Sequence, residues 1–441
     1  MVALNSTGTH DFVKVAPQNE LHALYINDDA REQLYLEVKS SFGKAAWPDA
    51  SRGSVLCLKV SDDGALPSPE ARLSPTKMAK YRDIESEGDG MRSYAATCVA
   101  LLLGLRPVCL LDEPELCLHP PQAYNLGKFI GRFGSSEDTA TFVATHSSHV
   151  LRGAVQTAQK LQIVRLTRSG TGFRAHTVSS EALSTALAKP TVRAEAILDG
   201  IFSQAVIVLE ADTDRTVYQA VWETLHEEFR LDIHFAAVGG TGGIADTCQL
   251  YRTLEIPVSV VADLDVVADL EKLKRIIAVL APADQLDAIL QEATDISAQL
   301  KLLPPTILPE ELRDRLSKAL AAEMDWCLGQ DVGIRKDLSS ICNELDRLRR
   351  IKRGGVDALP QSVSGKIQVF LSRLATHGIF LVPVGELEEW LKSEQIESSK
   401  HNKSAWANEA AAVVRKSGQK SGDIWDFLRM VGAHLREREQ S

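Results

Sequence analysis

Short apolar segments that end in carboxylates are the feature that most restricts the fold of this chain. Each has the length and composition of a buried strand, and each is followed by a helical stretch. This alternation predicts an α/β fold with parallel strands, whose ligand sites form at the carboxyl ends of the strands. The segments are Val108–Leu111 before Asp112, Ala205–Leu209 before Glu210, and Pro257–Ala262 before Asp263.

Composition places the chain among ordinary globular proteins. The 441 residues are 44% hydrophobic and 24% charged, which is close to average usage and fits two to three domains. No apolar run reaches the roughly 18 residues of a membrane span, and no secretory signal begins the chain, so we expect a cytoplasmic location without a membrane partner. The seven cysteines are scattered without a CxxC pair, so reduced thiols are expected.

The first acidic site has residues suited to nucleotide binding. An aspartate at a strand end, Asp112, can hold Mg²⁺, and the adjacent Glu113 can polarise an attacking water. A second strand, Thr141–Thr145, ends in His146. A Ser/Gly turn opens the helix Met91–Leu103, where free N–H groups and the helix dipole favour a phosphate. The turn consists of Ser86, Gly88 and Gly90. The alternatives are a capped surface turn and, for His146 with His149, a structural pair or an isolated metal site.

These motifs, in this order, resemble the ATP-binding-cassette ATPases of DNA-repair and phage-defence proteins. The segments on which this resemblance rests are Ser86-x-Gly88-x-Gly90, VCLLDEPELCLHP and ATHSSH. The resemblance implies that residues 1–190 form the C-terminal part of such a domain. In it the Ser/Gly turn contacts the γ-phosphate across a dimer interface, Glu113 is catalytic and His146 senses the phosphate.

The phosphate loop G-x-x-x-x-G-K-[ST] is missing from the sequence. Without it the β- and γ-phosphates lose their main binding element. Either the loop is lost or lies on another polypeptide, or the domain no longer hydrolyses ATP. ATP with Mg²⁺ is therefore expected here only if a loop is supplied.

The second acidic site combines Glu210, Asp214, Asp263 and Asp265. Glu210 follows one strand, Asp214 lies about one helical turn into the next element, and the Asp-x-Asp pair is predicted to share one strand face. Crowded carboxylates repel one another unless cations lie between them. Oxygen ligands without His or Cys suit Mg²⁺ or Mn²⁺. The alternative is a set of solvated acids at strand ends.

The segments VIVLEADTDRTVY and VVADLD resemble the Toprim domain of topoisomerases, primases and nucleases. Ala211 replaces the usual glycine after the glutamate, so the local backbone geometry is expected to differ from the family pattern. An ABC-type ATPase followed by a Toprim domain resembles the OLD (overcoming lysogenisation defect) family of nucleases. That resemblance implies a Toprim nuclease domain over residues 200–441, with a helical insertion at about 268–375.

The same resemblance adds further site residues. It implies a metal-binding carboxylate in Gly385-Glu386-Leu387-Glu388, with Glu388 preferred over Glu386, and a basic residue near the scissile phosphate, either Lys416 or Lys420. In the expected two-ion site Glu210 bridges or lies near the base, Asp263 and Asp265 hold one ion, and Asp214 with Glu388 helps hold the other.

A basic cluster is the predicted DNA contact in this acidic chain, whose formal net charge is -10. The cluster comprises Arg347, Arg349, Arg350, Lys352 and Arg353. A run of cations neutralises phosphates and releases counterions, although a solvated helix face is the alternative.

The sequence therefore predicts a metal-dependent DNA endonuclease or nickase coupled to an ABC-type ATPase module. The resemblance places it in phage or foreign-DNA defence or DNA repair, as a homodimer or in a complex with a partner protein. The alternative is a non-catalytic, nucleotide-gated DNA-binding or scaffold subunit. A topoisomerase or primase needs further domains that the sequence does not show.

Overall fold

The computed structural model divides the chain into two compact units, Met1–Ile163 and Val164–Ser441. The predicted boundary between residues 190 and 200 stays a prediction, because residues 179–194 lie outside the described part. The structure describes residues 4–9, 11–135, 139–169, 172–178, 195–303, 309–321, 348–392, 394, 396–398, 402–417 and 421–440.

The first unit begins with two helices and a small antiparallel sheet. The central strand, β3, pairs with β1, β2 and β4. The predicted helix α2 has the expected bounds: the Asn27 side chain accepts a hydrogen bond from the Ala30 N–H, and Gly43 ends the helix at φ 69°. The elements are β1 (Thr7–Gly8), α1 (Glu20–Ile26), α2 (Asp28–Phe42), β2 (Ala45–Asp49), β3 (Val55–Ser61), α3 (Pro69–Arg72), α4 (Pro75–Met78) and β4 (Arg82–Asp83).

The remainder of this unit alternates helices with two parallel strands. These elements are α5 (Asp89–Leu103), β5 (Val108–Asp112), α6 (Pro120–Phe133), β6 (Ala140–Ala144) and α7 (Ser148–Thr157). The strands pair in register, with Leu110 opposite Phe142. One face of the pair packs on a core that includes Tyr94, Leu126 and Phe129. The prediction that both strands are buried is wrong for the other face, where Leu110 is 75% and Phe142 62% exposed, because nothing in the described part of the chain covers it.

The second unit contains a four-stranded parallel sheet in the order β10-β9-β11-β12. Its strands are β9 (Ala205–Leu209), β10 (Ile233–Ala237), β11 (Val258–Asp263) and β12 (Ile379–Val382). The strands β9 and β11 lie at or within one residue of the predicted segments, and the α/β fold class is confirmed. A two-stranded sheet, β7 (Ile163–Ser169) with β8 (Gly172–Val178), and α8 (Glu195–Asp199) precede them.

Helices cover both faces of this sheet. Alternate residues of β9, namely Ala205, Ile207 and Leu209, pack in one core with α9 (Asp212–Phe229), α17 (Lys403–Ser417) and α18 (Asp423–Gln440). On the other face α10 (Ile244–Thr253) contacts β9 and β11. No described helix combines the length and hydropathy that a membrane span requires.

The described elements between β11 and β12 are all helices, joined by short turns. This agrees with the helical periodicity of that segment. The helices are α11 (Leu270–Leu280), α12 (Leu286–Lys301), α13 (Pro309–Ala321), α14 (Leu348–Gly354) and α15 (Gln361–Ala375), and α16 (Leu387–Trp390) follows β12.

Candidate active site

The carboxyl ends of β9, β11 and β12 lie side by side at one edge of the sheet. Val261 pairs with Leu209, and Asp263 pairs with Val382. Because the strands are parallel and in register, Glu210, Asp263 and the segment after Val382 emerge at the same edge. The structure thus brings together the carboxylates that the sequence places after three different strands.

Asp214 reaches this edge from the first turn of α9. The helix starts directly after Glu210, and the Ala211 N–H donates a hydrogen bond to Asp214 Oδ2 at 3.2 Å. Ala211 adopts extended backbone angles, φ -137° and ψ 159°, which any residue can adopt. Alanine therefore replaces the glycine usual at this position without backbone strain.

Asp263 and Asp265 approach the site from different elements. Asp263 is the last residue of β11, whereas Asp265 lies in a short 3-10 helix, Leu264–Val267. The prediction that both lie on one strand face is therefore wrong, because the strand ends between them. The Leu264 N–H donates to the carbonyl of Gly385 at 3.0 Å, which holds this turn against the segment after β12.

Crowding at the edge is visible in the pKa values of the carboxyl groups. Burial, followed by repulsion from Asp214 and Asp265, raises the pKa of Asp263 to about 8. Burial also raises the pKa of Asp214 to about 6, with Glu210 adding to the shift against the Ala211 hydrogen bond. The pKa of Glu210 is raised by burial and by Asp265. Such a site favours bound cations, since they stabilise the ionised carboxylates.

Lys352 contributes a positive charge inside this group of acids. Its Nζ lies 2.9 Å from Asp265 Oδ2 and 3.5 Å from Glu386 Oε1. Burial alone would lower the pKa of Lys352, but hydrogen bonds and charge attraction from both carboxylates raise it. A second lysine, Lys403 at the start of α17, lies 3.9 Å from Glu388 Oε1 and is more exposed.

Of the predicted basic residues that the structure describes, one lies among the carboxylates and the others do not. Lys352, predicted as a DNA contact, lies among the carboxylates, and sequence reasoning missed this role because its neighbours are distant in the chain. Lys416 is not brought to them: it ends the helix that Lys403 begins, about 20 Å away along the axis. Arg353 is exposed. Lys420 and Arg347 lie outside the described residues, as do the side chains of Arg349 and Arg350.

The donor set fits a hard divalent cation by its chemistry. All the acidic ligands are carboxylate oxygens, as Mg²⁺ and Mn²⁺ prefer. In the described part of the chain, three or more such side chains do not already converge in metal-binding geometry. The contacts of these acids are instead the Lys352 pairs of Asp265 and Glu386 and the hydrogen bond from the Ala211 N–H to Asp214.

The first unit holds a second group of predicted residues at the ends of β5 and β6. The Glu113 N–H donates to the carbonyl of Ala144 at 2.8 Å, and Glu113 Oε1 lies 3.7 Å from His146 Nε2. Glu113 adopts φ 42°, a conformation that non-glycine residues seldom adopt. Asp112 is exposed beside it. The strand ends therefore present Asp112, Glu113 and His146 together.

The Ser/Gly turn packs close to this group. Gly90, in the first turn of α5, is buried so closely against the carbonyl of Cys117 that a Cβ would overlap it. Ser86 and Gly88 remain exposed, and the Ser86 hydroxyl donates to the carbonyl of Asp83 at 2.7 Å. Gly90 thus brings the N-terminus of α5 close to the loop that follows Glu113.

Comparison with known proteins defines the class of both regions. Residues 58–152 match an AAA domain family whose description refers to the AbiEii toxin and a type IV TA system. Residues 201–265 match the overcoming lysogenization defect protein-like TOPRIM domain. The chain therefore carries an ATPase-like domain followed by a Toprim domain. The Toprim domain is of the OLD-like type, and the predicted resemblance is confirmed.

Two solved structures are also similar to parts of the chain. One is a structure described under ATP-driven dimerization and DNA-stimulated activation of SMC ATPases. It is 15% identical, the match covers 36% of this chain and 89% of that chain, and the TM-score is 0.25. The other is the C-terminal region of the Xanthomonas campestris pv. campestris OLD protein, with 15% identity, coverage of 54% and 94%, and a TM-score of 0.24. A search of curated proteins finds no match.

Proposed function

We propose that this protein is a metal-dependent DNA endonuclease or nickase that hydrolyses phosphodiester bonds at the Toprim carboxylates. The observation that carries the proposal is that Glu210, Asp214 and Asp263 lie at the same sheet edge, where burial and mutual repulsion raise their pKa values. The OLD-like Toprim match over residues 201–265 supports it.

Hydrolysis adds water to phosphorus and breaks the P–O3′ bond, which leaves a 3′-hydroxyl and a 5′-phosphate. Bound Mg²⁺ or Mn²⁺ would lower the pKa of the attacking water and stabilise the charge of the phosphorane and the leaving oxygen. Glu210, Asp214, Asp263 and Glu388 are the ligands that we assign, with Asp265 beside them. We also assign Glu210, which directly follows β9 at this edge, the role of taking the proton from the attacking water.

The ATPase-like domain is the proposed control element. Asp112, Glu113 and His146 would contact Mg²⁺ and the γ-phosphate, and the turn at Ser86 and Gly88 would contact a nucleotide across a dimer interface. The exposure of Ser86 and Gly88 supports this part of the proposal. Since the sequence has no phosphate loop, we propose that ATP binds where a partner or a second polypeptide supplies one.

DNA is the proposed substrate, and the arginines at 347–353 are its proposed contact. The setting that we propose, from the resemblance alone, is defence against phage or other foreign DNA, or DNA repair, inside the cell. A non-catalytic scaffold subunit is the competing function, which the following experiment distinguishes.

The test is plasmid cleavage by the full chain with Mg²⁺ or Mn²⁺, with and without ATP. We expect the parent to convert supercoiled DNA to relaxed or linear forms. Asp214→Asn should lower the rate at least 100-fold, because it removes a ligand, whereas Asp212→Asn should leave it within threefold. Asp212 is the matched control: it lies two residues away on the same helix, is exposed and pairs with Arg215.

Two outcomes contradict the proposal. Folded parent protein that cleaves nothing under any of these conditions would favour the scaffold function. Cleavage that persists in Asp214→Asn and in Asp263→Ala/Asp265→Ala would show that another site, or a contaminant, is responsible.

A further inference from the structure

Lys352 is built into the carboxylate edge by the backbone around it. It lies on α14, next to Ile351, which is buried. The Val356 N–H donates to the carbonyl of Pro383 at 2.8 Å. A Cβ on Gly385 would overlap the Lys352 carbonyl, and one on Gly355 would overlap the Pro383 carbonyl.

Both glycines also have positive φ, 57° for Gly355 and 108° for Gly385, where side chains are strained. The chain thus uses two glycines to bring α14 directly against the segment after β12. Since the Leu264 N–H bonds to the Gly385 carbonyl at 3.0 Å, three segments that are distant in sequence are fixed together at this point. The position of Lys352 follows from this packing.

The ammonium group of Lys352 already supplies a positive charge between two of the carboxylates, as a bound metal ion would. It lies between Asp265 and Glu386, 2.9 Å and 3.5 Å from their oxygens, and its side chain is 37% exposed. Two carboxylates that share one ammonium have little remaining attraction for a second divalent ion in the same place. Among the described residues, Glu210, Asp214 and Asp263 form no ion pair as close as these, and Glu388 pairs with Lys403 only at 3.9 Å.

We infer that Lys352 is the second cation of the active site, so that the Toprim domain binds one divalent ion beside a lysine. This inference rests on the proposed function, and it changes the number of divalent ions expected from the sequence from two to one. Glu210, Asp214, Asp263 and Glu388 hold the ion, and Lys352 holds Asp265 and Glu386 and faces the phosphate. During hydrolysis its charge stabilises the negative charge on the phosphorane, and no proton transfer from Lys352 is needed.

The test counts bound Mn²⁺ by calorimetry on the full chain, without nucleotide or DNA. Asp112→Asn is present in every protein, so that the first unit contributes no ion. We expect one Mn²⁺ per chain for the parent. Lys352→Met should bind two, because the freed Asp265 and Glu386 become ligands, and Lys352→Arg should still bind one. Lys392→Met, which removes an exposed lysine paired with Glu389, should also bind one.

Metal dependence of cleavage gives a second readout. The rate of the parent should rise with the first power of Mn²⁺ concentration below saturation, and that of Lys352→Met with nearly the second power. Two ions in the parent, or one ion in a folded Lys352→Met protein, would overturn the inference while leaving the nuclease proposal intact. A parent that binds no Mn²⁺ would overturn both, and circular dichroism of each variant reports its folding.

Discussion

At the scale of single residues, the carboxylates of the Toprim edge are held at a cost to folding. Burial and mutual repulsion raise the pKa of Asp263 to about 8 and that of Asp214 to about 6. An acid whose pKa is higher in the folded state stabilises the fold at pH values below its unfolded pKa. That contribution is lost as the pH rises through the folded pKa. Without divalent ions, the protein should therefore lose stability between about pH 4 and pH 8.

The substitution Asp263→Asn should remove most of the loss of folding stability that occurs as the pH rises. Since one pKa unit corresponds to about 1.4 kcal/mol, we expect the metal-free variant to exceed the parent by on the order of 3 kcal/mol at pH 8, with the difference shrinking toward pH 5. Thermal unfolding in EDTA across this range measures it, with Asp212→Asn as the control. A variant less stable than the parent at pH 8 would show that the Asp263 carboxylate is not destabilising.

At the scale of elements, close helix packing in the first unit depends on glycine. The helices α6 and α7 cross where Gly127 meets the carbonyl of Val150 and Gly153 meets the carbonyl of Tyr124, each closer than a Cβ permits. This crossing supports the strands that carry Glu113 and His146. Sequence periodicity predicts helices here, but it cannot tell which glycines lie at a contact, because that depends on the partner helix.

Replacement of Gly127 by alanine should show the effect of close helix packing on stability, separately from the effect of helix propensity. We expect Gly127→Ala to lower the free energy of unfolding by about 1–3 kcal/mol, because the Cβ forces the helices apart. Gly365→Ala on α15 is the matched control: nothing lies within 4 Å of its Cβ position, so it should be neutral or gain roughly 0.5–1 kcal/mol from helix propensity. Urea denaturation of both variants measures the difference, and equal effects would contradict close packing at Gly127.

At the scale of the whole molecule, charge must be distributed unevenly for DNA to bind. The formal net charge is -10, and the active-site edge is itself acidic. Local basic groups must therefore bring the phosphate backbone to that edge, and the arginines at 347–353 lie on and before the helix that carries Lys352. The charge of Lys352 is paired with Asp265 and Glu386, so the proposed DNA contact rests on the arginines.

Salt dependence of DNA binding tests this division. Arg349→Gln/Arg350→Gln should reduce the magnitude of the slope of log K against log salt concentration by roughly 2. The variant loses two phosphate contacts, so its binding releases fewer counterions. Arg415→Gln/Arg429→Gln removes the same charge from residues that pair with Glu223 and Glu228 and should leave the slope nearly unchanged. Fluorescence anisotropy with labelled duplex DNA measures both, and equal slopes for the two variants would argue for a solvated helix face at residues 349 and 350.

The strands, the order of the two domains and most of the acidic residues of the candidate site could be predicted without knowledge of the fold. This is possible because a buried parallel strand is a continuous apolar run in the sequence. The residue after that run lies at the edge of the sheet where ligands bind, independently of the rest of the fold. Glu210 and Asp263 could be predicted in this way, and Asp214 from its place about one helical turn further along the chain. The acids after Gly385 were predicted from the family resemblance. The helix α2 was likewise set by its local caps.

Three features could not be predicted and depend on the folded chain: the place of Lys352, the separation of Asp263 from Asp265 by the end of β11, and the exposed face of β5 and β6. Each of these depends on which distant segments meet: Gly355 and Gly385 bring α14 to the sheet edge, and the Gly385 carbonyl holds the turn after Asp263. Contacts between residues far apart in the chain leave no periodicity in the sequence, because each partner's pattern is set by its own helix or strand.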